Sequence, residues 1–167
     1  MQHHDNYFTF QAENNYDLGL QLGTHFKEAI QAKINRTLRD DVWALKLKRS
    51  LEYLSAAKEC FPHYVQEMEG YARGAGVDFL ACWTCSLEDE FSFYREDHCT
   101  SIVTNDGKLI SHNEDWAHDA ADEICVLQKT IGDLTLLELN YLNTLGGNSA
   151  SIIPSICPDL LISDSIY

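Results

Sequence analysis

The sequence predicts an α+β fold in which a helical N-terminal part is followed by antiparallel strands. Up to about residue 95, apolar residues recur at the three- to four-residue spacing of amphipathic helices. From residue 99 onward the apolar segments are short and rich in β-branched residues, and two of them flank a strong hairpin turn. The 167 residues suffice for one ordinary domain. Helices first and strands afterwards are typical of an α+β domain.

The helical part opens with a short strand-like alternation at residues 7–10. Its first predicted helix carries an apolar stripe over 18–34, and the second covers 41–60. A third helix starts with the proline of the segment 62–72, because the first turn of a helix tolerates proline. A fourth begins at Asp78, whose side chain is a suitable N-cap.

The second part contains two predicted strand pairs. Residues 99–104 and 108–112 flank Asn105-Asp106-Gly107, in which Asp-Gly supplies the positive φ of a tight hairpin turn. Residues 124–129 and 134–139 form the second pair, joined at Gly132-Asp133. Both pairs are expected to be antiparallel because the connections are short.

The composition excludes several classes of function. Twelve Lys and Arg against 26 Asp and Glu give a net charge of −14, which argues against nucleic-acid binding. Residues 99–167 carry a net charge of −8, and Lys108 and Lys129 are their two cations. No signal peptide or membrane span is predicted, so the expected location is cytoplasmic, without membrane attachment. The six cysteines are therefore expected to be mostly reduced, several of them buried.

Cys99 is a candidate nucleophile because it stands at the head of the strand region, directly after the charged run 95–98. If its thiol cleaves the His98–Cys99 bond, the new α-amine has a pKa of about 7.7–8.0. That amine can accept the thiol proton near neutral pH, so one residue supplies both nucleophile and base. The alternative is a small buried core cysteine.

Asn113 and Asp115 end the return strand of the same hairpin. Since the two strands are antiparallel neighbours, both side chains are expected near Cys99, and period-two alternation puts them on one face. A carboxylate beside a freed ammonium would hold and orient it. The alternative is a polar strand end in solvent.

Three ordered blocks resemble one known family. Residues 99–102 together with 106–116 resemble the nucleophile hairpin of the penicillin acyltransferase-like N-terminal nucleophile (Ntn) hydrolases, peptidase family C45, the acyl-coenzyme A:6-aminopenicillanic acid acyltransferase group. Residues 16–23 resemble its opening helix, and 62–78 resemble its Glu-x-x-Gly-x-Ala-x-Gly-Ala segment. The match spans roughly residues 7–151, and agreement in order is more specific than any single motif.

The resemblance implies a four-layer αββα fold of Ntn-hydrolase type, incomplete in this chain, and synthesis as a precursor. Cleavage before Cys99 would give a helical proenzyme segment, 1–98, and the start of the catalytic β region, 99–167. Both segments would belong to one domain.

The chemistry that the resemblance implies is acyl transfer or hydrolysis at a linear amide or a thioester, through an acyl-cysteine. Cys99 would be the nucleophile, Asp115 would orient its amine, and Asn113 would support the amine or the substrate. Trp116 and Tyr141 are assigned to the pocket wall. No metal and no resident cofactor are implied, although a coenzyme A thioester can serve as acyl donor for a small-molecule substrate.

The sequence departs from the family pattern in three ways. His98 replaces the glycine often found before the scissile bond, and no arginine follows Arg95, whereas family members supply an arginine and an oxyanion-binding asparagine downstream. A segment with two prolines, 152–158, then replaces the family-like pattern, and proline excludes it from a central strand. These departures indicate a truncated or frame-shifted member, stable as a homo-oligomer or with a missing C-terminal portion. The alternative function is an inactive precursor acting only as an interaction module.

Two further constellations have structural explanations. Cys82 and Cys85 form a C-x-x-C pair inside a helical apolar run, which favours core packing over zinc or redox chemistry. A dense His/Asp cluster is interpreted as a solvated acidic loop in preference to a metal site. Its members are His112, Asp115, His118, Asp119 and Asp122.

Overall fold

The structure is a computed structural model that describes residues 6–91, 100–105, 109–113, 122–146 and 149–153. For residues 88–89 and 149–153 it describes the backbone alone. None of the helices in these ranges combines the length and hydrophobicity that crossing a bilayer requires.

The N-terminal part is helical, as predicted. Its helices are α1 (Asn15–His25), α2 (Lys27–Thr37), α3 (Trp43–Cys60), α4 (Pro62–Ala75), α5 (Phe79–Ser86) and α6 (Glu88–Phe91). The prediction of one helix over 18–34 is wrong, because the chain bends at Phe26 (φ −99°, ψ 20°) between α1 and α2. The bend carries the Phe26 ring against Phe8, with ring centroids 5.1 Å apart and edge to face. The apolar spacing alone predicts a continuous helix, whereas the structure has a break at Phe26, whose ring packs against Phe8.

Local capping sets where the helices start and stop. The Asn14 side chain accepts a hydrogen bond from the Asp17 N–H at 2.9 Å and begins α1. Asp78 accepts from the Ala81 N–H at 2.9 Å, which confirms it as the N-cap of α5. Gly76, at φ +68°, ends α4 in the left-handed conformation that favours glycine.

The strands form two separate sheets. They are β1 (Tyr7–Ala12), β2 (Thr100–Thr104), β3 (Leu109–Asn113), β4 (Ile124–Ile131), β5 (Leu134–Tyr141) and β6 (Ser149–Ile153). Among the residues that the structure describes, a four-stranded sheet has the order β1-β4-β5-β6, and β2 pairs with β3 only. The antiparallel pairs β2–β3 and β4–β5 are confirmed. β6, which was not predicted as a strand, pairs with β5. The two prolines of the segment 152–158 lie outside the described residues.

The opening strand β1, for which the sequence predicted no partner, pairs with β4 in parallel, with Tyr7 opposite Val126. A parallel pair needs a long crossover, and the whole helical part lies between these two strands. Helices α1 and α4 belong to a layer on one face of this sheet, where alternate residues of β4 are buried: Cys125, Leu127 and Lys129. The finer four-layer αββα arrangement remains a prediction.

The contact between α1 and α4 is the closest helix packing in the structure. Gly19 and Gly23 lie on one side of it, and Gly70 and Gly74 on the other, each pair spaced by four residues and so on one helix face. A Cβ atom added at any of the four would come closer than 3.0 Å to backbone of the opposite helix. The two helix backbones are therefore in direct contact, which no larger residue would permit.

We expect Gly19→Ala to destabilise the fold by about 2 kcal/mol or more, because the added methyl group would overlap the Glu67 carbonyl oxygen. The clash outweighs the roughly 1 kcal/mol that alanine adds in helix propensity. Urea unfolding followed by circular dichroism measures the difference. The control Ser55→Ala, on the exposed face of α3, should stay within about 0.5 kcal/mol of the parent. Equal urea midpoints for Gly19→Ala and Ser55→Ala would show that α1 and α4 can move apart to accommodate the methyl group without loss of stability.

Candidate functional site

The hairpin predicted to carry the nucleophile is present as β2 and β3. Five antiparallel pairs join the strands, from Thr100 opposite Asn113 to Thr104 opposite Leu109. Asn105, which follows β2, has φ +54°, a conformation that a tight turn demands and that asparagine tolerates. The sequence therefore predicted both strands, whereas Asp106 and Gly107, to which it assigned the positive φ of the turn, lie outside the described residues.

The structure brings one predicted site residue to the expected end of this hairpin. Asn113 lies directly opposite Thr100, the residue that follows Cys99 in the chain, and it shares a face with Thr100. The predicted cleavage site His98–Cys99 lies outside the described residues, as do Asp115 and Trp116.

His112 is a candidate that the sequence reasoning considered only as a metal ligand. Its Nδ1 atom lies 2.8 Å from the Ser101 hydroxyl oxygen, across the ladder, in a hydrogen bond whose donor depends on the imidazole tautomer. The sequence contains a signal for this pair. If the strands are paired residue by residue starting from the Asp-Gly turn, residue 101 falls opposite residue 112, as in the structure. The hairpin end therefore holds an imidazole beside a hydroxyl on one face, and Asn113 on the opposite face.

Tyr141, which was assigned to the pocket wall, ends strand β5 opposite Ile124 and is half-buried. It belongs to the four-stranded sheet, whereas Asn113 belongs to the two-stranded one. Its backbone N–H donates to the side-chain oxygen of Asn140, which is 2 % exposed. The placement of Tyr141 in a substrate pocket stays a prediction.

Apolar side chains on both faces of the hairpin are open to solvent. Ile102 and Leu109 lie on the face of Asn113, and Val103 and Ile110 lie on the face of His112. All four are among the exposed large hydrophobic residues, and Val103 is 62 % exposed. A sheet that is apolar on both faces is typical of a buried layer, so this surface is expected to be covered in the functional protein.

A charged cluster lies buried between the helices and the four-stranded sheet. Lys129 Nζ is 2.8 Å from Glu138 Oε2 on β5 and 3.5 Å from Glu67 Oε1 on α4. The amide of Asn15, at the start of α1, donates to the other oxygen of Glu67 at 3.2 Å. The three charged residues are at most 6 % exposed. One ammonium thus holds two carboxylates from different elements, and the cluster links α1, α4, β4 and β5.

Cys60, Cys82 and Cys125 form no disulfide, and the two buried thiols among them, Cys82 and Cys125, are poor nucleophiles. Burial raises the pKa of Cys82 to about 12 and that of Cys125 to about 11. Cys82 donates to the Met68 sulfur at 3.4 Å, and Cys85 is buried beside it, so the C-x-x-C pair packs in the core as predicted. Within the described ranges no group of three or more His, Cys, Asp or Glu side chains is arranged to hold a metal ion.

Comparison with known proteins adds no assignment, because no family model and no curated protein matches this chain.

We expect Lys129→Met to lower the free energy of unfolding by about 3–5 kcal/mol, because Glu67 and Glu138 would be left buried without a counter-charge. Urea titration measures the loss, and Lys48→Met on the exposed surface of α3 is the control. Adding Glu138→Gln to Lys129→Met should restore part of the stability. No loss on removing Lys129, or no recovery in the double variant, would contradict the buried pairing.

Iodoacetamide at about pH 8 should modify the exposed Cys60 at least roughly tenfold faster than Cys82 or Cys125. The two buried thiols stay protonated there because burial raises their pKa values to about 12 and about 11. Peptide mass spectrometry assigns the modified positions, and the same reaction in urea should abolish the difference. Equal native rates at Cys60 and Cys82 would contradict the burial of α5.

Proposed function

We propose that this protein is an Ntn-type cysteine acyltransferase or amide hydrolase that acts on a linear amide or an acyl thioester through an acyl-cysteine at Cys99. The observation that carries the proposal is the β2–β3 hairpin, whose register puts Asn113 opposite the residue following Cys99. The proposal otherwise rests on the resemblance of the sequence to the penicillin acyltransferase-like family.

The α1–α4 contact supports the same proposal independently of the hairpin. The two upstream blocks of the resemblance, 16–23 and 62–78, lie within and around these helices and contain all four contact glycines. They also contain Glu67, the first residue of the Glu-x-x-Gly-x-Ala-x-Gly-Ala segment, which pairs with the sheet through Lys129. The two blocks that carry the resemblance thus contact each other in the structure. The close backbone contact explains their glycines, and the pairing with Lys129 explains Glu67.

In the proposed maturation, the Cys99 thiol attacks the carbonyl carbon of His98, and the peptide C–N bond breaks as the amine is released. Water then hydrolyses the resulting thioester, which leaves a carboxylate on His98 and a free α-amine on Cys99. In turnover the amine takes the thiol proton, the sulfur bonds to the substrate carbonyl, and the leaving amine or thiol takes that proton. Water or an acceptor amine finally removes the acyl group from sulfur.

Asp115 and Asn113 have distinct roles in this scheme. Asp115 would hold the α-ammonium of Cys99 by charge, and Asn113 would donate an amide N–H to the substrate or support the amine. A single donor to a developing oxyanion is worth about 10²–10³ in rate. Loss of Asn113 should therefore slow turnover by no more than that factor, whereas loss of Cys99 should abolish it.

The exposed apolar hairpin favours a second candidate, a precursor that does not mature and acts by binding another polypeptide. Ile102 and Val103 point to opposite faces, so one covering layer would not bury both. An edge strand of this kind can pair with another chain. In this alternative Cys99 would have no chemical role.

Intact-protein mass spectrometry separates the two candidates. Autocatalytic maturation predicts two fragments that meet between His98 and Cys99, and Cys99→Ala should remain one chain because it lacks the attacking thiol. Cys60→Ala removes an exposed thiol elsewhere and should still be cleaved. A single intact chain in the parent protein, after prolonged incubation, would contradict maturation and support the interaction module. Cleavage that persists in Cys99→Ala would exclude Cys99 as the nucleophile.

A further inference from the structure

The junction of α2 and α3 is a long surface segment. Residues 35–49, here called the α2–α3 corner, include no buried residue, whereas Ile34 before them and Ser50 after them are both buried. The corner contains the end of α2, the connecting turn and the beginning of α3. It is therefore attached to the core at both ends and open to solvent between them.

Three large aliphatic side chains of the α2–α3 corner are exposed. The exposed fractions are 43 % for Leu38, 49 % for Val42 and 58 % for Leu45. The Leu45 N–H donates to the Val42 carbonyl oxygen at 3.0 Å, so these two residues are one helical turn apart and share a face. Trp43 packs in part against the hydrophobic core and fixes the turn to the protein. Exposed aliphatic groups clustered in this way are typical of a surface that another body covers.

The α2–α3 corner is positively charged in an otherwise acidic chain. Five of the twelve Lys and Arg residues lie in it, against two Asp, so its net charge is +3. The seven cations and 24 acids of the rest of the chain give −17. A partner that matches the corner in charge is therefore anionic.

Three exposed cations of the corner form no ion pair with a carboxylate of the described residues: Arg36, Arg39 and Lys48. The other two cations are engaged within the protein. Lys46 pairs with Asp40 at 2.7 Å, and the Arg49 guanidinium lies 5.3 Å from the centroid of the Phe91 ring. Asp41 is exposed and offsets one of the three charges. The corner thus presents cations and aliphatic groups side by side.

We infer that the α2–α3 corner binds the surface of an anionic lipid bilayer. Leu38, Val42 and Leu45 would enter the boundary between headgroups and acyl chains, and the three unpaired cations would contact anionic headgroups. The residue types favour a bilayer over an acidic polypeptide, because aromatic residues rather than Leu and Val dominate the binding hot spots of protein interfaces.

The acidity of the rest of the chain restricts how the protein can approach such a surface. The remainder, at −17, is repelled by anionic lipids, so only the corner can face the bilayer. The Debye length is about 8 Å at physiological ionic strength, which screens the distant acids but not the cations in contact. This peripheral contact needs no spanning segment, although it differs from the sequence expectation of no membrane attachment. It does not depend on the proposed acyl-transfer chemistry.

Co-sedimentation of the full chain with lipid vesicles tests the inference. Phosphatidylcholine vesicles with about 30 % phosphatidylserine should bind at least roughly tenfold more tightly than phosphatidylcholine alone, since each cation contributes roughly fivefold near an anionic surface. Raising the ionic strength from about 0.1 M to about 1 M should release most of the bound protein, because the Debye length falls from about 10 Å to about 3 Å.

Substitutions in the corner separate the charged and apolar contributions. The triple variant Arg36→Gln/Arg39→Gln/Lys48→Gln should bind the phosphatidylserine vesicles roughly a hundredfold more weakly. Leu45→Ser should bind them roughly tenfold more weakly, because it removes an apolar group from the bilayer boundary. The matched control is Leu51→Ser, at a residue that is 47 % exposed on the same helix but outside the corner, and it should bind like the parent.

The substituted positions are exposed, so thermal unfolding followed by circular dichroism should be the same in every variant. Equal binding with and without phosphatidylserine, no binding to either vesicle, or equal binding by Leu45→Ser and Leu51→Ser would overturn the inference. Sedimentation velocity without lipid tests a different occupant. A dimer that Leu45→Ser dissociates and Leu51→Ser leaves intact would also overturn it, by making the corner a contact between two copies. Cys99→Ala should bind vesicles like the parent, so this surface and the proposed function fail separately.

Discussion

The direct backbone contact between α1 and α4 is the constraint on which the rest of the structure depends. Four glycines allow the two helices to approach until carbonyl groups of one meet the Cα positions of the other. This approach fixes where α4 lies relative to the sheet, because α1 also contacts β1 and β4. At that position Glu67 of α4 lies 3.5 Å from Lys129 of β4. The glycines therefore determine the geometry of the buried charges as well as that of the helix pair.

The Glu67–Lys129–Glu138 cluster adds specificity to a contact that is otherwise apolar. Hydrophobic packing tolerates small shifts, whereas a buried ammonium shared by two carboxylates is stable only when both partners are in place. A helix layer that slid along the sheet would leave at least one charge buried and unpaired. The cluster thus favours one arrangement of α4 on β4 and β5 over its neighbours, although its net stabilisation need not be large.

Local features of the fold could be predicted from the sequence, and long-range ones could not. Asp78 and the Asn105-Asp106-Gly107 turn act through a few adjacent residues, so the start of α5 and the β2–β3 hairpin were predicted correctly. The parallel pairing of β1 with β4 has no local signal, because the helical part and the β2–β3 hairpin separate the two strands in the chain. Lys129 is an ordinary charged residue in a strand until its partners are known. At the hairpin, the sequence predicted that Asn113 ends the return strand, whereas its predicted position near Cys99 stays a prediction; the Ser101–His112 contact was missed, although the register counted outward from the predicted turn pairs these residues.

The hairpin connects the stability of the protein to its proposed chemistry. An isolated two-stranded sheet is marginally stable in water, and this one exposes Ile102 and Val103 on opposite faces. In the proposed site, the Asn113 amide would need a fixed position, within a fraction of an ångström, to stabilise developing charge. Layers that cover the apolar faces would also restrict the motion of the strand ends, because five residue pairs join β2 to β3 along their whole length. Burial of the hairpin and preorganisation of the proposed site are therefore one physical requirement.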